Sequence, residues 1–278
     1  MSSTRCLNVT PRAGHLGAEV RGPDLRQPLD AERLNDLHRL LDEHLVLIFP
    51  DQHLDDAQQL AFAASFGDPY IHPIGRTLGR TEAGCERIVD DVEHPPYQDK
   101  WHTDVSWDPE PPTHGTLRPI CLPARGGDTM WASMYAAYDA LSPTMQVLIE
   151  PLEALHTMGS ATSFITKTGG DVVARTLEKF PGTVHPVVGV HPATGRPYLN
   201  VNREFTESIV GLEPDESRAL LGFLTTHATQ PNFCLRHSWS LGEVAIWDER
   251  CTQHFAVADY LPERREIARV AVRETPLD

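Results

Sequence analysis

The chain has 278 residues and carries 39 acidic against 24 basic side chains, a formal net charge of −15. Affinity for nucleic acid or an anionic membrane comes largely from neutralising phosphates with lysine and arginine, so this balance excludes a general polyanion binder. A composition of 40% hydrophobic and 23% charged residues is globular, and no apolar run approaches the roughly 18 residues that span a bilayer. Five cysteines without a C-x-x-C pair, and a polar stretch from Met1 to Arg12, suit a reduced, cytoplasmic protein with no secretion signal.

Asp30 is a good N-cap and Leu34, Leu37, Leu40 and Leu41 follow at helical spacing, which predicts a helix over residues 30 to 43. Leu45 to Phe49 reads as a buried strand ended by Pro50, and a second helix is expected from Asp55 to Phe66, stopping at Gly67. Residues 70 to 130 are rich in Pro, Gly and His, a pattern of long loops over short strands. A short strand at Asp128 to Trp131 then precedes helical stretches at Ser133 to Leu141 and Met145 to Ile149. Further strands are expected at His185 to Val190, Tyr198 to Val201, Cys234 to Trp239, Val244 to Trp247 and Arg265 to Val272, with a helix from Asp215 to Thr225. Many short strands joined by Gly and Pro turns predict a β-rich α+β fold, a sandwich or jelly roll with helices packed outside. With no repeat, low-complexity tract or linker, residues 1–278 are expected to form one domain.

Three groups of residues can carry chemistry. In Trp101-His102-Thr103-Asp104 the histidine and the carboxylate are two apart, so in an extended segment they project to one face and suit a divalent metal. A hydrogen-bonded pair in a strand would look the same. His254, in Trp247-Asp248-Glu249-Arg250-Cys251-Thr252-Gln253-His254, would complete two histidines and one carboxylate, a set that holds Fe(II) on one face and leaves positions open. Taken alone, it could equally be a core histidine. Arg265 and Arg269 are four apart among Ile267, Ala268, Val270 and Val272, so their strand enters the core, where a buried guanidinium needs an anionic partner. Two forked cations on one face can bracket a small dicarboxylate.

The order and spacing of these pieces resemble the taurine/α-ketoglutarate dioxygenase (TauD/TfdA) family, which includes sulfonate, alkylsulfate and aryloxyalkanoate dioxygenases. The similarity runs from Gly17-Ala18-Glu19-Val20 through Pro50-Asp51-Gln52 to the Arg269 strand. Its most specific pieces are Trp101-His102-Thr103-Asp104, Gly126-Gly127-Asp128-Thr129 and Thr252-Gln253-His254, with Arg265 and Arg269 falling 11 and 15 residues after the distal histidine.

The resemblance implies a double-stranded β-helix (jelly roll) core with flanking helices, and Fe(II) held by His102, Asp104 and His254 as the catalytic centre. It implies 2-oxoglutarate as cosubstrate, its far carboxylate meeting Arg265 and Thr129, with Arg269 nearer the metal and facing the cosubstrate's near carboxylate or the substrate's acid group. Dioxygen (O2) is then consumed in oxidative decarboxylation to succinate and CO2, and a substrate C–H is hydroxylated, with cleavage where that carbon bears oxygen or sulfur. On the substrate side stand His72, Gln98, Val105 and Phe205. Gly75 stands where the taurine enzymes have tyrosine, Gln98 where they have asparagine, and Ala161-Thr162 where they have Ser-Phe. These departures imply a small anionic substrate other than taurine: an aryloxyalkanoate, an alkylsulfate, another sulfonate or a biosynthetic carboxylic acid. A non-catalytic metal-binding jelly-roll protein and a metal-dependent hydrolase are the alternatives, and neither has a use for the arginine pair and Thr129. By analogy with family members the chain would be a dimer or tetramer.

Overall fold

The structure, a computed structural model, describes residues 7–158 and 169–274. Ala161 and Thr162 lie outside them. The framework is a mixed α+β arrangement in which helices pack on sheets. The largest sheet has eight strands, in the order Asn8–Pro11, Ala18–Arg21, Val46–Phe49, Val244–Asp248, His114–Cys121, Arg265–Arg273 and Asp68–Pro69, with Glu86–Asp90 also paired to Arg265–Arg273. A smaller antiparallel sheet places Thr129–Ser133 between Cys234–His237 and Thr252–Ala256. Leu117, Trp247 and Ile267 of the first sheet pack with Trp131 and Leu235 of the second in one buried cluster, so the two sheets share a core.

Alternation along the strands sorts side chains between two layers. Phe49, Val244, Ile246, Val270 and Val272 face Leu37, Leu41 and Phe62 of the helices Ala31–His44 and Asp56–Ala64. Ala245, Trp247 and Ile267, out of phase with them, face the shared core. Each fully buried Val, Ile, Leu or Phe among them contributes about 1.5 to 3 kcal/mol. On the core side Arg265, Ile267 and Arg269 therefore project together toward one cavity.

The first helix begins at Ala31, capped by Asp30, whose side chain accepts the Arg33 N–H, and it ends on Leu45 in the left-handed conformation. Asp55 and Gln58 form a capping box on the second helix, which stops at Ala64, two residues short of the expected Phe66. The stretch from 70 to 130 departs most from expectation. It contains the helix Pro73–Thr77 and an eight-residue strand, His114–Cys121, in the middle of the large sheet. Pro119 hid that strand, and the register shift opposite Glu266 and Ile267 is what accommodates it. The expected strand at His185 to Val190 is two strands: Thr183–Pro186 pairs with Glu153–His156, and Val188–Val190 pairs with Pro197–Leu199. Proline at 186, which has no N–H to continue a ladder, marks the switch. Among the described residues no helix is long and apolar enough to cross a membrane.

Candidate active site

His102 and Asp104 do not share a strand face, as their spacing suggested. His102 forms a single bridge with His254, in which each backbone N–H donates to the other residue's carbonyl at 3.1 and 2.8 Å, and Asp104 lies in the turn that follows. The bridge brings the distal histidine, carried on Thr252–Ala256, against the proximal pair, with the two imidazole centroids 4.2 Å apart. One ligating atom from each of His102, Asp104 and His254 lies within 4.8 Å of the others, and all three residues are buried. Val105, next in the chain, has φ +53°, a left-handed conformation that strains a β-branched residue by about 1 to 3 kcal/mol.

The protonation pattern suits a cation. His102 Nδ1 lies 2.7 Å from the Lys100 carbonyl oxygen, so it donates, and Nε2 is left facing Asp104 Oδ1 at 3.6 Å. Burial, reinforced by His102, lowers His254 to about 3 and keeps that ring neutral. Burial opposes ionisation of Asp104, yet the Arg269 guanidinium and the two histidines hold its carboxyl well below the usual range. A neutral imidazole at His254 and an ionised carboxylate at Asp104 are the forms that bind a divalent transition metal. Glu249, fully buried, accepts the Asp104 N–H at 3.2 Å and is pushed up by burial and by the Asp104 charge. The donor set fits Fe(II).

The arginines are held as their strand directs. Arg265 Nε donates to the Gly127 carbonyl at 2.9 Å, and its Nη2 donates to Thr129 Oγ1 at 3.4 Å. Gly127 has φ +72°, and a Cβ there would lie 3.0 Å from Arg265 Cδ, so glycine permits the approach. Arg269 Nη1 pairs with Asp104 Oδ2 at 2.9 Å, and Nη2 lies 3.7 Å from Glu86. A small cavity of about 20 Å³, lined by Gln98, Thr129, His254, Arg265 and Arg269, joins the two guanidiniums to the distal histidine.

A larger cavity of about 350 Å³ opens beside the cluster, lined by His72, Gln98, Val105 and Phe205 together with His102, Asp104 and Arg269. His72 caps the short helix Pro73–Thr77: its Nδ1 accepts the Ile74 N–H at 3.2 Å, which makes Nε2 the protonated nitrogen. Burial lowers His72 to about 4, so it acts as a neutral donor. A side chain at Gly75 would meet Arg80 Cδ at 3.2 Å, so the arginine stem occupies that space. The ten site residues expected from the sequence thus lie around two adjoining cavities. Glu249, Glu86 and Trp239, whose indole N–H donates to Thr129 at 2.9 Å, were not foreseen, and no spacing signal marks them.

A second buried group, His191, Asp248 and Cys251, also has donor atoms in ligating range. Arg250 closes it, donating to both Asp248 oxygens at 3.0 and 3.1 Å, while His191 Nε2 takes Asp248 Oδ2 at 3.0 Å. Burial also pushes the Cys251 thiol well up, away from the thiolate a metal needs. It is an internal charge network.

The model of the taurine catabolism dioxygenase TauD, TfdA family matches residues 8–271. The chain is 36% identical over 275 residues to the alpha-ketoglutarate-dependent sulfate ester dioxygenase of Pseudomonas putida, covering 96% of this chain and 89% of that protein. It is 34% identical over 267 residues to the (S)-phenoxypropionate/alpha-ketoglutarate-dioxygenase of Sphingobium herbicidovorans, covering 93% and 92%. The solved structure of AAD-2 in complex with Mn(II) and N-oxalylglycine superposes with a TM-score of 0.80 at 29% identity, covering 98% of each chain. With a family model spanning nearly the whole sequence and relatives this similar along their length, the chain belongs to the TauD, TfdA family of dioxygenases.

Proposed function

We propose that the chain is an Fe(II)- and 2-oxoglutarate-dependent dioxygenase that hydroxylates a small organic anion, a sulfate ester or aryloxyalkanoate rather than taurine. The observation that carries this reading is the buried set of His102, Asp104 and His254, with ligating atoms in mutual reach, beside two arginines that line the adjoining cavities. Iron bound there, with 2-oxoglutarate and dioxygen, supplies the oxidation, yielding succinate, CO2 and a hydroxylated substrate. His102, Asp104 and His254 hold the metal on one face. Arg265 and Thr129 receive the far carboxylate of the cosubstrate with charge-assisted hydrogen bonds. Arg269 keeps Asp104 ionised and presents a cation to an acid group near the metal. The two sheets that share a core support reading the fold as a double-stranded β-helix within one domain, with these residues carried on and between its strands.

His72 donates from Nε2 to the substrate's anionic group, Gln98 offers its amide beside it, and Val105 and Phe205 form an apolar wall that excludes water. Gly75 and the overlying Arg80 replace the tyrosine of the taurine enzymes, which favours a longer, anionic substrate. The sulfate ester and phenoxypropionate dioxygenases among the relatives support that class. Neither a metal-binding protein without catalysis nor a hydrolase accounts for Thr129 and the arginine pair. Succinate release scored over a panel of alkylsulfates, aryloxyalkanoates and sulfonates tests the substrate: turnover of the first two classes above taurine supports it, and preference for taurine contradicts it.

A further inference from the structure

The Thr129 hydroxyl is almost fully buried, with the residue 1% exposed, and two donors converge on its oxygen: Trp239 Nε1 at 2.9 Å and Arg265 Nη2 at 3.4 Å. A hydroxyl has one hydrogen and two lone pairs. With both lone pairs taken, the only hydrogen bond left to Thr129 is one it donates, and among the described residues nothing accepts it. The residue lines the small cavity with Arg265, His254 and Arg269, so that hydrogen is available to an acceptor atom reaching into it. Trp239 itself is fixed from behind, its ring 4.8 Å from His237 and 6.2 Å from Trp131, and its indole nitrogen, unlike a hydroxyl, can only donate.

Resting on the cosubstrate reading above, we infer that Trp239 is a positioning residue: its indole N–H locks the Thr129 hydroxyl as a donor and so tunes the site for a 2-oxo acid with a second carboxylate. Without the indole N–H the hydroxyl could turn its lone pair toward the cavity and its hydrogen elsewhere, and a carboxylate would meet an acceptor. Donors feeding one oxygen also polarise it and strengthen the bond it makes onward. The dependence is specific. A 2-oxo acid lacking the far carboxylate makes no contact with Thr129 and should not register the loss.

The test is anaerobic titration of the Fe(II)-loaded protein with 2-oxoglutarate and, separately, with 2-oxobutyrate, which has the same 2-oxo acid head and no far carboxylate. Trp239→Phe keeps an aromatic ring and removes the N–H; Trp239→Tyr is the second variant should phenylalanine fail to fold. The expected result is a 2-oxoglutarate dissociation constant raised about 5- to 10-fold, the size of one hydrogen bond. The 2-oxobutyrate constant should stay within twofold. In a Thr129→Val background the same change at 239 should add less than twofold. Equal losses for both acids, or additive losses in the double variant, mean that Trp239 merely packs, and they overturn the inference alone. An unchanged 2-oxoglutarate constant in Thr129→Val by itself overturns the cosubstrate reading, and this inference with it.

Discussion

His102 Nδ1 sits 2.7 Å from the carbonyl oxygen of Lys100, and that one contact decides which nitrogen of the ring faces Asp104. The carbonyl can only accept, so Nδ1 carries a proton and Nε2 is the nitrogen turned toward the cluster. His102 thus presents Nε2, the nitrogen that would ligate a metal, to the neighbouring carboxylate and His254.

The first prediction concerns this set. His102→Ala or Asp104→Ala should lower Fe(II) affinity by at least about 100-fold and abolish substrate-coupled succinate release, leaving the far-ultraviolet circular dichroism unchanged. Equilibrium metal titration of the purified variants reads it. A variant that still binds iron with wild-type affinity would not have lost a ligand.

Arg265→Ala removes the guanidinium that donates to Gly127 and Thr129. Losing one charge-assisted hydrogen bond to the cosubstrate costs about 1.5 to 3 kcal/mol, a weakening of roughly 10- to 150-fold. Calorimetric titration with N-oxalylglycine checks it, and an unchanged dissociation constant would remove Arg265 from the cosubstrate site.

Gly115 lets a neighbouring ring lie against the strand: a Cβ there would fall 2.3 Å from the Trp247 ring, which itself packs 5.1 Å from His254. Gly115→Ala is therefore expected to cost about 1 to 3 kcal/mol by overpacking and to disturb metal binding without touching a ligand. Urea denaturation and an Fe(II) titration of one preparation test both halves. Wild-type values in both would show that the ring moves aside freely.

Histidine burial gives the fold a pH dependence. His156 is fully buried, donating to or accepting from Ser106 Oγ at 3.0 Å, and desolvation followed by the nearby His185 lowers it from 6.5 to about 3. The unfolded chain takes up that proton first, so the contribution is fully present above pH 6.5 and is lost as pH falls toward 3. In metal-free protein the stability of wild type should fall about 1.4 kcal/mol per pH unit more steeply than that of His156→Gln between pH 5.5 and 4, values within the titration window set by those two constants. Parallel curves would contradict it.

Much of this is legible in the sequence. The caps at Asp30 and Asp55 act on local backbone, so sequence spacing finds them. Arg265 and Arg269 were legible for a different reason: two cations embedded in an apolar strand must face a partner. The His114–Cys121 strand was not, because it is buried on both faces and interrupted by Pro119, which erases the alternation that identifies strands. The meeting of His102 with His254 was not legible from chemistry alone either, since a bridge across 152 positions (254 − 102) leaves no local pattern and the resemblance had to supply it. Glu249 and Trp239 fall in the same class, as each acts through a neighbour that only the fold brings near.

The central claim is that His102, Asp104 and His254 hold iron where a 2-oxo acid can chelate it. Anaerobic addition of Fe(II) and 2-oxoglutarate to the purified protein measures it most directly. The expected result is a weak visible metal-to-ligand charge-transfer absorption that saturates with the cosubstrate and disappears in Asp104→Ala. Folded, iron-loaded wild-type protein that develops no such band would contradict it.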